Sequence, residues 1–586
     1  MNRTLVVAAL LSIACEGRIG LPPGEGEPVE VLGAGGGVEP GPFAVERPSC
    51  TGRCLGTTGL TRITSLEFQN SISDVFGIAA PADALPGDGE VAGAFFSNDQ
   101  RVLAGSEVDL YRQTAEEVAT AITTQSAVLD RLVSALGTAC HARNGTCADA
   151  FVARYGGQLY RRPLTPEERS DYRALYDWAV KPATDPDFVT GGSGTFADAI
   201  GYLVERLLQS PGFLYRLEVG TPTKDHGVVQ LTSYEVAARL AAFLLRSVPD
   251  EELQQAAEAD ALRSEEGIAR QVERITHGPR GDRLWTGFAR EWISTGQIAD
   301  SQVRDLPEAQ ANWSDAVANG LELDVQQTFL HLIQTDGTVH TLLTSSGGVE
   351  QGAQLQWITG SGGAKGTWNT QLPNRRGLLS WPGLLIANGH PGFTHAHQRG
   401  LWVRGKLLCQ TIPSPPANLA DAIAAAQQAE QNMPSAKTDR ERMTALTEVN
   451  AVCRSCHHMT NPIGYGLDEY DELGRFRTSQ VGTDGASYPI DQSGEITGLG
   501  PLASDANGAF TDGSQLIDRL ADSATVARCM ERQLARYALQ REVTGDDQPS
   551  LDAAYEKFDA QRRDLRTLVG LIASTDAFRY RRLTPR

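Results

Sequence analysis

The sequence is short of the features that would make it a membrane-spanning or nucleic-acid protein. Its longest apolar run, residues 5–14, stops at Cys15 and is about half the ~20 residues a spanning helix needs. Basic residues are in deficit, 52 Lys and Arg against 72 Asp and Glu, for a formal charge of −20 and a pI near 5.0. That balance excludes a duplex nucleic-acid binder and a polybasic membrane-surface protein. No period of ~20–50 residues recurs, which excludes a solenoid. What is present is length: 586 residues, 41% of them hydrophobic, enough for several cores and hence several domains.

The start of the chain has a short positive region at Arg3, the apolar run, and small residues before Cys15. This is the layout of a bacterial lipoprotein signal, with Ser12 where such signals usually carry Leu. The expectation is lipidation of Cys15 and export to the periplasm, outer membrane or cell surface; plain secretion, and a mistaken start or no export, are the alternatives. Residues 16–48 are rich in Gly and Pro and poor in large apolar side chains, so they read as a flexible tether. Export places the nine cysteines in an oxidising compartment. With Cys15 assigned to lipid and Cys453 and Cys456 set aside, six remain. Cys50 with Cys54 and Cys140 with Cys147 are spaced to close short loops, leaving Cys409 for Cys529; the alternative is that the last two are free, buried thiols.

Helix signals recur along the chain. Thr64 and Glu67, Thr165 and Glu168, and Thr232 and Glu235 are capping boxes, the second with Pro166 at the first helical position. The stripe Val236, Leu240, Phe243 and Leu244 follows the third and is expected to end near Pro249. Residues 483–512, rich in Gly, Asp and Ser, read as a β-hairpin or structured loop. The fold class is therefore mainly α: a multidomain helical assembly with a cytochrome-c-like haem segment and a small β-hairpin or loop insertion. The domains expected are a signal and lipobox (1–15), a tether (16–60), helical domains at 61–150, 151–220 and 225–355, a CxxCH domain (370–478), and a hairpin plus C-terminal helical domain (479–586).

One short motif carries a specific chemical meaning: Cys453-Arg454-Ser455-Cys456-His457. In a c-type haem site two thiols three residues apart add to the vinyl groups and the adjacent histidine ligates the iron. The periodic stretch 440–452 is expected to deliver this turn at a helix end. A Cys453–Cys456 disulfide and a zinc site are the competing readings; neither a thioredoxin-like βαβ pattern nor a second cysteine pair supports them. Methionines are scarce, five in the chain, which narrows the sixth iron ligand. Met459 lies on the same turn as His457, so the candidates are His390, His395 and His397, clustered in a Gly-Pro loop, ahead of Met530.

Several segments resemble, in this order, the planctomycete-cytochrome-associated multidomain proteins: residues 62–77 (RITSLEFQNSISDVFG), 160–168 (YRRPLTPEE), 208–218 (LQSPGFLYRLE), 376–379 leading into 399–410 (RGLWVRGKLLCQ), 453–478 (CRSCHHMTNPIGYGLDEYDELGRFRT) and 532–541 (RQLARYALQR). The resemblance covers most of the chain from about residue 60 to 581. It implies an exported protein assembled from domains of unknown function, with Cys453, Cys456 and His457 as a cytochrome-c-like CxxCH. Where the family pattern reads Met-Asp-Pro-Ile-Gly, this chain carries Thr460-Asn461-Pro462-Ile463-Gly464. The resemblance implies no established enzymatic activity. Asp468, Asp471 and Arg475 read either as catalytic groups on a helical face or, with greater weight, as ion-paired groups around the motif.

The functional expectation is a lipid-anchored protein carrying covalent haem c for extracytoplasmic electron transfer to a redox partner, held at the membrane through its lipid and binding no nucleic acid. The alternatives are a haem enzyme with an open sixth position and a non-haem lipoprotein that binds a surface polymer and uses CxxCH only as a disulfide turn. No reaction is assigned by the residues.

Overall fold

The computed structural model describes residues 52–81, 85–99, 101–181, 194–389, 396–412, 436–448 and 451–583. Cys15, Cys50, the tether at 16–48, His390 and His395 lie outside the described residues. The fold is mainly α and multidomain.

The first helix, α1 (Ser65–Phe76), begins where Thr64 and Glu67 satisfy each other's backbone amides, and it ends at Gly77 in the left-handed region, φ 64°. α2 (Gly105–Thr124), α3 (Pro166–Ala179) and α4 (Phe196–Gln209) follow. Thr165 and Glu168 form the expected box at α3. The apolar faces of these helices merge into one core drawn from residues 63–214 and Val248, stapled by the Cys140–Cys147 disulfide. The strands β1 (Thr61–Arg62), β2 (Gly89–Val91), β3 (Phe95–Asp99) and β4 (Tyr215–Arg216) make an antiparallel sheet in the order β2-β3-β1-β4. β3 reaches out of this unit, and Phe95 packs 5.5 Å from both Phe288 and Tyr537.

A second, larger core runs from residue 55 to 578. It is built on α5 (Ser233–Leu245), α6 (Asp282–Ile293), α7 (Asp315–Thr335), α8 (Ala396–Trp402), α10 (Ala451–Tyr465), α11 (Ala524–Leu539) and α12 (Leu565–Ala573), while α9 (Asp439–Thr447) places Met443 in a separate small cluster with Ala396 and Tyr465. α5 carries the expected Thr232–Glu235 box but ends at Arg246, φ 48°, short of Pro249. A left-handed residue releases the last carbonyls and turns the chain before the proline is reached. Strands β5 (Thr221–Pro222), β6 (Val228–Gln230) and β11 (Tyr580–Arg582) tie the two ends of this unit together in the order β11-β6-β5.

The Gly-Asp-Ser-rich insertion begins earlier than the composition suggests. β7 (Ser479–Val481) pairs with β8 (Ser487–Pro489) as a hairpin, and β9 (Gly494–Ile496) pairs with β10 (Gly508–Phe510) across a 3-10 turn, Pro501–Ala506. The stretch 440–452 is not one helix. α9 stops at Thr447 and α10 restarts at Ala451, so the CxxCH residues occupy the first two turns of a new helix. Asp468, Asp471 and Arg475 are likewise beyond the end of α10, in turns, and Asp471 pairs with Arg475 at 2.7 Å. Among the described residues no helix is long and apolar enough to cross a membrane.

Candidate functional site

α10 presents Cys453, Cys456, His457, Thr460, Asn461 and Gly464 at helical spacing along one stripe. The lower half of that stripe is sealed against α8. A Cβ on Gly400 would stand 1.9 Å from Thr460 O, and one on Gly464 would stand 1.8 Å from Ala396 O. Only two glycines let the helix backbones meet this closely. The upper half opens toward solvent: Cys453 and Cys456 are half-buried and free, whereas Cys54, Cys140, Cys147, Cys409 and Cys529 are all in disulfides. Cys409 and Cys529 are joined to each other, 120 residues apart.

Burial, and then the neighbouring Cys456, push the Cys453 thiol up. A thiol shifted this way stays protonated at neutral pH, the reverse of an activated thiol-exchange site. His457 is 3% exposed, and burial lowers its pKa to about 4 against the opposing pull of Asn461. Its Nδ1 lies 3.2 Å from Asn461 Oδ1, and Asn461 Nδ2 donates to Thr447 Oγ1 on α9 at 3.0 Å. Thr460 and Asn461 are fully buried.

His397, on α8, lies against His457 with ring centroids 4.0 Å apart and planes inclined by 34°. Its Nδ1 is 2.7 Å from Thr460 Oγ1. Two imidazoles that share one metal from opposite sides hold their ring centres about 6 Å apart, given metal–nitrogen bonds of ~2 Å. His397 is therefore placed beside His457, against its flat face, and not across a haem plane from it. Met530 is 1% exposed within the larger core, next in sequence to the Cys409–Cys529 bridge. His390 and His395 lie outside the described residues.

Three fully or nearly buried arginines brace this region by holding backbone carbonyls. Arg399 donates to Leu467 O, Tyr470 O and Asp471 O at 2.8–2.9 Å. Arg404, in the π-turn Val403–Leu407, donates to Met459 O and Thr497 O. Arg375 donates to Ser380 O, Ile358 O and Gly474 O. Burial pulls all three guanidinium pKa values down, that of Arg404 to about 10. The sequence assigned none of them a role, passed over Thr447, and marked Asn461 only as a departure from the family pattern. The signal for the arginines was an Arg-x4-Arg spacing with Gly400 between, which alone names no function.

The donor set fits a covalently held haem. A half-buried Cys453 thiol that burial keeps protonated and a half-buried Cys456 thiol stand four residues and one residue before a neutral imidazole whose Nδ1 is already engaged. The ring contact with His397 covers a face of His457 and leaves the plane in which a metal bond lies. Among the described residues no group of three or more His, Cys, Asp or Glu side chains is set to hold a metal ion directly.

A mainly α, multidomain chain with such a turn matches five family models, each described as a protein of unknown function: DUF1587 at 61–124, DUF1595 at 147–218, DUF1592 at 231–351, DUF1588 at 375–480 and DUF1585 at 507–578. The chain belongs to the planctomycete-cytochrome-associated multidomain family that these domains build. The CxxCH residues and their α8 partners all fall in the DUF1588 stretch. No curated protein and no solved structure matches the chain.

Proposed function

We propose that this protein is an exported, lipid-anchored electron carrier in which Cys453 and Cys456 hold a c-type haem and His457 is its proximal ligand. The observation that carries the reading is the contrast among cysteines: two free thiols share one helical stripe with a buried, neutral, oriented imidazole. When bound, the haem supplies a one-electron couple. Asn461 and Thr447 hold the ring, the Gly400–Thr460 and Gly464–Ala396 contacts pack α8 against its lower side, Arg404 fixes the helix that carries all three attachment residues, and Arg399 holds the turns that follow it. The disulfides are compatible with an exported protein, and lipid on Cys15 would tether it to a membrane near an extracytoplasmic redox partner. Expression in a host that matures c-type cytochromes tests the reading. The expected product shows a c-type reduced spectrum that survives acid extraction, and Cys456→Ala weakens or abolishes it. A colourless protein of unmodified mass overturns the proposal.

The placement of His397 against His457 favours a second reading, in which the sixth position is open to a small ligand. Carbon monoxide added to the reduced holoprotein separates the two: an immediate spectral shift supports the open site, and its absence supports the electron carrier.

A further inference from the structure

The hydrogen bonds behind His457 form a chain whose direction is fixed at its far end. Thr447 Oγ1 lies 2.7 Å from Met443 O. A carbonyl only accepts, so the single hydroxyl proton of Thr447 is spent there. Toward Asn461, Thr447 can then only accept, which requires the amide NH2 on that side, 3.0 Å away. Asn461 Oδ1 is thereby turned to His457 Nδ1 at 3.2 Å, and because an amide oxygen only accepts, Nδ1 must carry the ring proton. Thr447 is 1% exposed, Asn461 0% and His457 3%, so bulk water does not compete for these bonds.

We infer that Asn461, locked by Thr447, is a positioning residue that selects the Nδ1–H tautomer of His457 and leaves Nε2 as the bare nitrogen available to a metal. A metal-ligating histidine is commonly held through its other nitrogen, and the strength of that bond sets how strongly the ligand donates. An amide is a neutral acceptor, so this site holds the ring in place while adding little electron density. A carboxylate at the same position would add more.

The inference rests on the haem reading only for its consequence at iron; the tautomer itself does not depend on it. Two measurements separate them. In full-length protein made without haem maturation and labelled with 15N-histidine, His457, identified by His457→Gln, is expected to show the shift pattern of the Nδ1–H form. Asn461→Leu, and Thr447→Val should the first variant not fold, are expected to move the tautomer ratio toward Nε2–H by about tenfold, the scale of one hydrogen bond. Asn461→Asp is expected to keep the wild-type tautomer. An Nε2–H wild type, or a ratio unmoved by Thr447→Val, overturns the inference, and a loss of stability alone would mark a merely structural role. In holoprotein, Asn461→Asp is expected to raise the iron–histidine stretching frequency and lower the midpoint potential; no shift in either overturns the link to iron. Failure of any haem to attach sinks the function proposed above while leaving the tautomer result decisive.

Discussion

Buried arginines are handled in opposite ways in two regions of this molecule. Where α1, α5, α6 and α11 converge, they meet carboxylates. Arg246, 1% exposed, is 2.5 Å from Glu291 and 3.6 Å from Glu67. Burial opposes its charge, but Glu291, Tyr537 and Glu67 together outweigh burial and raise its pKa. Arg239 pairs with Glu218 at 2.6 Å and Arg541 with Asp547 at 2.8 Å, each adding carbonyl contacts, to Ala577 O and Phe578 O and to Glu542 O, on top of its carboxylate. Around α10, Arg375, Arg399 and Arg404 hold carbonyl oxygens instead. A carboxylate pair is a contract between two side chains, and replacing both by neutral groups can leave stability nearly unchanged. An arginine bound to carbonyls reads the path of the backbone, and no second substitution can answer its loss. The first region is built for charge balance, the second to hold one shape.

The largest expected effect concerns the seam between these regions. Cys409 follows the π-turn of the carbonyl-held region and Cys529 sits on α11. Replacing both by Ser is expected to lower stability by about 4 to 5 kcal/mol for a closed loop of this length, against about 2 kcal/mol for the Cys140–Cys147 pair. Calorimetry should also resolve two transitions in place of one; a single unchanged transition would mean that the seam is held by packing alone.

Next in size is the contrast itself. Arg399→Met and Arg246→Met should each cost about 3 to 5 kcal/mol in denaturant unfolding. Adding Glu291→Gln to Arg246→Met should restore at least half of the loss. Arg399→Lys should restore little, because one ammonium cannot span the three carbonyls. Equal rescue in both regions would erase the distinction.

Glu531 is the exception within the paired region. It is 3% exposed, its Oε1 has no hydrogen-bond partner among the described residues, and burial lifts its pKa to about 9 even with Arg528 nearby. A carboxyl whose folded-state pKa is raised contributes stability that is fully present below its ordinary value of 4.5 and lost as pH rises toward 9. Glu531→Gln is therefore expected to stabilise the protein by about 2 to 3 kcal/mol at pH 8 and by almost nothing at pH 4. Thermal melts at the two pH values check this; a pH-independent change would show that packing, not ionisation, is at work. The smallest effect is local to the motif. Thr438 caps α9 through Glu441 N, and Thr438→Ala should remove about 1 kcal/mol without moving any spectral feature of His457.

Local chemistry was readable from the sequence and long-range packing was not. The capping boxes at Thr64, Thr165 and Thr232 stand where their spacing placed them, because a cap is decided within four residues. The mainly α class followed from such signals. The break between α9 and α10 was missed because apolar periodicity continues across it. His397 was singled out with His390 and His395 as a ligand in a loop; it lies in α8, where contact with α10 decides its role. Gly400 meets the backbone of Thr460, and Gly464 that of Ala396, and nothing in either sequence neighbourhood reveals these contacts. The DUF1587 and DUF1595 stretches are separate as sequences but share one core, a packing that neither stretch reveals by itself.

The Cys409–Cys529 bond also imposes an order on biogenesis. Cys409 is synthesised 120 residues ahead of its partner, and Cys453 and Cys456 come in between. Until Cys529 emerges, the next thiols available to Cys409 are those of the CxxCH turn, so a chain that pairs correctly must keep them out of exchange. Thiol exchange proceeds through the thiolate, and the folded turn holds the Cys453 thiol in its protonated, slow form. Burial of Cys453 in the folded domain therefore slows exchange at that thiol and leaves Cys409 to wait for Cys529.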